Sequence, residues 1–550
     1  MSSRNANSPP SMSSITIPRP FLKSCQQYDV YPVKLVERLG TKYGVPLLQL
    51  YQERFKERQR DLNLFVDESR FFVPYWDVSE SGAVDQRNLK SEQEFGDWLG
   101  DDFRLDPADT GKGPALVRSV KRDPRCRFVF LPTASSVDPL EITPAALKRL
   151  LAYFQVFPSV LDFLYTFGPK NGGERESTHF SGFRTEKTFR NIQPALEIPA
   201  LGRSGKRYQL CCTLKSVALK SVDEKAMINK TWRVRSAVIY HQFDIEKGTQ
   251  LWILGDPLLG IHKLVQEHIH EQKNHSARFG TFEQAFNSSL QMMLHYAQWA
   301  TEEWRWHIQS YEEIVDKITQ YYVLIPDDVT WERDGLLYIQ EREQYLTDSI
   351  TCVESNIAVM KRLGTFYTDL VEDPSWPKSE VLAAKTNVKE FVAQLDEYMY
   401  DLEMQLKRAN QALRLAKDRK DILIQHLNAQ NAAKQESYTQ IMWQQQHKTV
   451  LDAVAMKVVT VVTLFFLPMT FVSTFFSTDV VKYQSDPGSA SPTASLSGLD
   501  GNFSISALRM FFVISVPLMI ITFLFAYALY WRESRRIIAT EREYRRKLHV

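Results

Sequence analysis

The chain of 550 residues is 44% hydrophobic, 24% charged and 12% aromatic, proportions that build a buried core and exclude a wholly disordered polypeptide. Lys plus Arg total 67 against 65 Asp plus Glu, and the formal charge of +2 removes the main electrostatic ground for a nucleic-acid partner. The five cysteines (Cys25, Cys126, Cys211, Cys212, Cys352) are odd in number and have no C-x-x-C spacing, which excludes a disulfide scaffold and a zinc ribbon and fits a reducing compartment.

In chain order, residues 1–29 open Ser- and Pro-rich with no apolar run, so a disordered cytosolic tail without a cleavable signal is expected. Residues 30–375 read as a cytosolic α/β domain with long helices. Strands are expected at 127–131, 208–217 and 232–244, the last joined to 249–254 through Glu246-Lys247-Gly248 as a hairpin in a small sheet. Helices are expected over 144–167, 282–322 and 331–370. No phosphate loop, G-x-S-x-G elbow, H-E-x-x-H or kinase set occurs, so neither an enzyme nor a cofactor is expected. His262, His268, His270 and His275 cluster, and His268 with His270 would share a face in an extended segment. A zinc site there lacks a Cys or carboxylate to complete it, and exposed helical His is the commoner reading. Cys211-Cys212 reads as inert core in a strand, and Trp299, Trp304 and Trp306 as helix packing.

From 378 to 467 there is no Gly or Pro, and the Ala-, Leu-, Lys-, Gln- and Glu-rich composition predicts one very long helix, a stalk at 378–457 running on into an apolar segment. Leu395, Met399, Leu402, Leu406, Ala409, Leu413 and Ala416 follow at alternating four- and three-residue steps, a heptad seam. The partner is either another copy or a different helix of this chain, because heptads do not name it.

Two uncharged runs follow, 458–476 and 510–531, the second within a segment assigned to 508–531. At ~1.5 Å per residue each is long enough for a bilayer of about 30 Å. On the first, Met456, Thr460, Thr463, Leu467, Thr470, Thr474 and Ser477 share one face, largely of hydroxyls. That face either packs tightly, each hydroxyl bonded to its own helix, or lines an aqueous path. Between the runs, 477–507 is a mildly acidic external loop; after them, 532–550 is a basic tail with Arg532, Arg535, Arg536, Arg542, Arg545, Arg546 and Lys547. Basic flanks stay on the cytosolic side, so both termini are expected in the cytosol of a two-span membrane protein. Sequons at Asn229, Asn274 and Asn287 then escape glycosylation, and that at Asn502 lies close to the second span.

The pattern of cytosolic domain, stalk helix, span, short loop, span and basic tail resembles the CorA family of divalent-cation channels. The local likeness is LFFLPMTFVSTFF at 464–476, where Pro468, Thr470 and Phe471 fall on the family's Pro-x-Thr-Phe. The family continues with Tyr-Gly-Met-Asn; this chain has Phe476-Ser477-Thr478-Asp479. Segments 142–168, 180–186 and 232–254 resemble the large cytosolic domain of a fungal-type branch of CorA-like proteins, which lacks that signature here. The resemblance implies an α+β cytosolic domain, a stalk helix, two C-terminal transmembrane helices and a homo-oligomer, by likeness a pentamer. It implies passage of magnesium or a similar divalent cation, with Ser477, Thr478 and Asp479 as an outer-mouth ring. An Asp and hydroxyl ring suits a hard, hydrated cation. The alternative is a membrane-anchored regulatory or interaction protein that keeps the architecture and does not conduct.

Overall fold

The computed structural model describes residues 15–36, 43–61, 64–80, 82–118, 121–168, 178–190, 196–222, 230–257, 260–270, 279–318, 333–477 and 505–548. The chain divides into two compact units, Met1–Gln425 and His426–Val550.

The first unit is built on a seven-stranded sheet. Its strands are β2 (Val73–Val78), β3 (Val84–Leu89), β6 (Cys126–Thr133), β7 (Phe183–Lys187), β8 (Arg207–Val222), β9 (Lys230–Asp244) and β10 (Gln250–Pro257), in the order β3-β2-β6-β10-β9-β8-β7. The β6–β10 pairing is parallel and the others are antiparallel. A separate small sheet joins β1 (Ile15–Ile17), β4 (Arg104–Leu105) and β5 (Ala115–Arg118).

Alternation along each central strand gives the sheet two apolar faces. Val129, Leu131, Cys211, Val238, Tyr240, Leu251 and Ile253 enter one core. Cys126, Phe128, Phe130, Tyr208, Cys212, Ile239, Trp252 and Leu254 enter the other. The first core is covered by α1 (Arg19–Gln26), α2 (Val45–Asp61), α3 (Glu92–Leu99), α4 (Pro144–Tyr153) and α5 (Val160–Leu164). Over the second lie α6 (Gly260–His270), α7 (Phe282–Trp299), α9 (Arg333–Val371) and the start of α10 (Val381–Ser477), with α8 (Trp304–Ile318) beginning at the buried Trp304. Helices on both faces explain why β6 and β10 read as continuous apolar runs.

The expected β9–β10 hairpin is present: the Asp244 carboxylate accepts from the backbone N–H of Glu246 (3.0 Å) and Lys247 (2.9 Å), and Gly248 takes φ 67°. The sheet is larger than expected: the outer strands β3 (VDQRNL) and β7 (FRTEK) are too polar to announce themselves, and the buried strand β2 (VPYWDV), short and interrupted by Pro74, was not among the expected strands. The expected helix over 144–167 is two, α4 and α5, and that over 282–322 is broken between Trp299 and Trp304.

The seam of α10 has a partner in this chain. Leu395, Leu402, Ala409, Ala416 and Leu423 are buried, Leu395 and Leu402 within the second core. Arg408 pairs bidentately with Glu312 of α8 (3.1 and 2.6 Å), and Lys420 Nζ with Glu343 of α9 (2.5 Å). The second unit takes α10 onward from His426, together with α11 (Ile505–Leu548).

Candidate functional site

α10 runs for 97 residues, starting after the 3-10 turn Lys378–Glu380 and passing Pro468 to end at Ser477. Proline has no N–H to donate, so one turn of the helix loses a backbone bond there. Among the described residues, two helices are long and apolar enough to cross a membrane: α10, through its C-terminal part, and α11, over Arg509–Arg532.

In the second unit the spans pack through defined faces. Pro468 and Val472 are buried on α10, and Phe476 approaches Phe511 of α11 at 6.4 Å between ring centroids. On α11 the covered positions Phe511, Ser515, Leu518, Met519 and Thr522 recur at helical spacing. Ser515 is buried with its hydroxyl donating to the Phe511 carbonyl. Along the edge of this contact lies a groove of about 480 Å³, walled by Leu467, Pro468, Thr470, Phe471 and Thr474 from α10 and by Leu518 and Thr522 from α11. Leu518 and Thr522 line this groove without having been singled out from the sequence; their recurrence at helical spacing with Phe511 and Ser515 was the available signal.

Met456, Thr460, Thr463, Leu467, Thr470, Thr474 and Ser477 are all exposed in the single chain. At ~3.6 residues per turn they lie on the side of α10 away from Pro468 and Val472. Every hydroxyl among them donates to its own helix: Thr460 to the Met456 carbonyl (2.7 Å), Thr463 to Val459 (2.8 Å), Thr470 to Leu467 (3.0 Å), Thr474 to Phe471 (2.9 Å) and Ser477 to Thr474 (3.1 Å). A hydroxyl that has donated its proton keeps acceptor lone pairs, so the face presents oxygens rather than donors. Thr478 and Asp479 lie outside the described residues.

Two sequence models match along the chain: CorA-like transporters over residues 23–323, and CorA-like Mg²⁺ transporter protein over residues 306–529. The chain belongs to the CorA-like transporter family. It is therefore a member of a family of membrane transporters of divalent cations, not of enzymes. No curated protein matches this CorA-like chain. Among solved structures, the ZntB cytoplasmic domain from Vibrio parahaemolyticus RIMD 2210633 is similar at 9% identity and a TM-score of 0.26, covering 62% of this chain and 97% of that one. The family assignment rests on the sequence models and not on this likeness.

Elsewhere in the CorA-like chain the other sequence candidates resolve in different ways. The segment carrying His262, His268 and His270 is the helix α6, so positions two apart do not share a face as they would in a strand, and the zinc reading loses its geometry. His275 lies outside the described residues. His262 packs against Trp76 and Phe130 at 4.9 and 4.6 Å between ring centroids, and burial lowers its pKa. Among the described residues no group of three His, Cys, Asp or Glu is placed to hold a metal ion. Cys211 and Cys212 are buried with thiol pKa values pushed up by desolvation, as inert core residues are. Trp304 is buried, donating to the Ala300 carbonyl (2.9 Å), and Trp299 is half-buried; Trp306, expected in a helix contact, is 51% exposed because it points away from the face that Trp304 covers.

Proposed function

We propose that this chain is one subunit of a homo-oligomeric channel, by family likeness a pentamer, that passes magnesium or a similar divalent cation. The path is lined by Met456, Thr460, Thr463, Leu467, Thr470, Thr474 and Ser477, and Ser477, Thr478 and Asp479 ring its outer mouth. Both termini face the cytosol, and lipid surrounds the spans. The observation that carries this reading is the exposure of the hydroxyl side of α10: Pro468 and Val472 are the positions buried against α11, while Met456, Thr460, Thr463 and Ser477 stay open and Leu467, Thr470 and Thr474 border the groove at the edge of that contact. Two spans cannot enclose a hydrophilic path alone, so that side needs symmetry mates.

The chemistry of the face fits the cargo. A small divalent ion sheds its waters reluctantly and travels hydrated, with water protons pointing outward. Threonine oxygens whose own protons are already donated are acceptors for those protons. Oligomerisation gains support from Ile441, Met442, Trp443, Leu451 and Val454, which leave large apolar surface uncovered ahead of the span.

The test is uptake of magnesium, manganese, cobalt, nickel or zinc into vesicles holding the purified protein. The reading expects flux of at least one ion, a fall with Thr470→Leu, and altered discrimination with Asp479→Ala. Absence of flux for all five from an assembled oligomer contradicts it and favours the non-conducting, membrane-anchored alternative, which the missing Gly-Met-Asn motivates.

A further inference from the structure

In the first unit, far along the chain from the spans, a cleft of about 480 Å³ opens beside β7, the outermost strand of the large sheet. Three elements converge on it. Helix α2 contributes Arg54, Glu57 and Arg58, whose three- and four-residue steps place them on one helix face. The short helix α5 contributes Asp162 and Phe163, and β7 contributes Arg184.

The aromatic wall is built to close tolerance. Phe163 is buried and meets Phe180 edge to face at 5.4 Å between centroids, leaving Phe180 half-exposed to the cleft. Gly182 lies against this pair, and a Cβ added there would come within 2.6 Å of the Phe163 ring, so the wall stands only because residue 182 has no side chain. The Arg58 guanidinium sits over the Tyr165 ring at 5.7 Å. Asp162 accepts from the Tyr51 hydroxyl at 3.0 Å; burial raises its pKa, and the nearby charges of Arg54 and Arg184 pull against that rise. Three guanidinium groups therefore line a cavity with two carboxylates, Glu57 and Asp162, leaving one positive charge in excess beside a half-exposed aromatic ring.

We propose that this cleft binds a nucleotide, its phosphates held by Arg54, Arg58 and Arg184 and its base laid against Phe180. Guanidinium forks match phosphate oxygens in pairs, a planar base gains from an aromatic face, and the volume lies in the range of small-molecule sites. The site is independent of the permeation path: ligand binding here is measured with no transport assay, and its failure leaves the proposed conduction untouched.

The experiment is calorimetric titration of the whole chain, in detergent micelles with EDTA present, using ATP, adenosine and inorganic phosphate as separate probes. ATP is expected to bind saturably, with adenosine and phosphate each weaker by about tenfold or more. Arg54→Ala and Arg184→Ala alter exposed side chains and are each expected to weaken ATP about tenfold or more. Phe180→Leu is expected to weaken ATP while leaving phosphate unchanged. The proposal is overturned if ATP does not saturate the protein, if both arginine variants bind ATP as the parent does, or if phosphate alone binds as tightly as ATP.

Discussion

Cys211 and Cys212 are neighbours in β8, and strand alternation sends their side chains to opposite faces, one into each core. All five cysteines are free and buried, and burial raises every thiol, those of Cys212 and Cys352 to about 12. A thiol-reactive dye at about pH 8 is therefore expected to label the native protein negligibly and to titrate all 5 thiols once denaturant is added; rapid native labelling of Cys126, Cys211 or Cys212 would refute the packing of the sheet. His241 stacks on Trp252 at 3.9 Å, and burial pushes its imidazole from 6.5 down to about 3. The folded state thus refuses a proton that the unfolded chain accepts, so the stability that His241 confers is complete above pH ~6.5 and drains away as the pH falls towards 3. In His241→Leu the loss of thermal midpoint between about pH 7 and about pH 5 is expected to shrink; an unchanged loss would place the acid sensitivity elsewhere.

α10 is the element in which local propensity and tertiary use diverge. Its helicity is legible because no Gly or Pro interrupts 378–467, and its continuation past Pro468 is legible because the surrounding residues stay apolar. The partner of the heptad seam is not legible, since periodicity states that a stripe will be buried and not what buries it. Here α8, α9 and the second core bury it as far as Leu423, which removes that stretch from the surface open to another copy. Leu402 is fully buried, and Leu402→Ala is expected to cost about 2–5 kcal/mol, read as an earlier denaturant midpoint. A neutral result would mean that the seam is loosely held. The polar outer strands β3 and β7 escaped the sequence reading for the opposite reason: an edge strand buries little, so its residues carry little apolar signal.

At the scale of the whole molecule, membership of a divalent-cation transporter family and the exposed hydroxyl face of α10 both support the proposal that several copies bring that face to a common aqueous axis. The face itself was readable from spacing. The bonding of its hydroxyls to their own helix was one of the two readings the spacing left open; which positions of α10 are buried against α11 was not legible, because it depends on where α11 packs. Buried native thiols make cysteine substitution a clean probe of this arrangement. The most direct measurement is modification of Thr463→Cys, Thr470→Cys and Thr474→Cys by a charged, membrane-impermeant thiol reagent in transport-competent vesicles, with Val462→Cys as the position off that face. Rapid labelling that blocks flux at the three threonine positions, with Val462→Cys unaffected, is the predicted result. Flux that persists while all three stay unlabelled, or labelling confined to Val462→Cys, would contradict it.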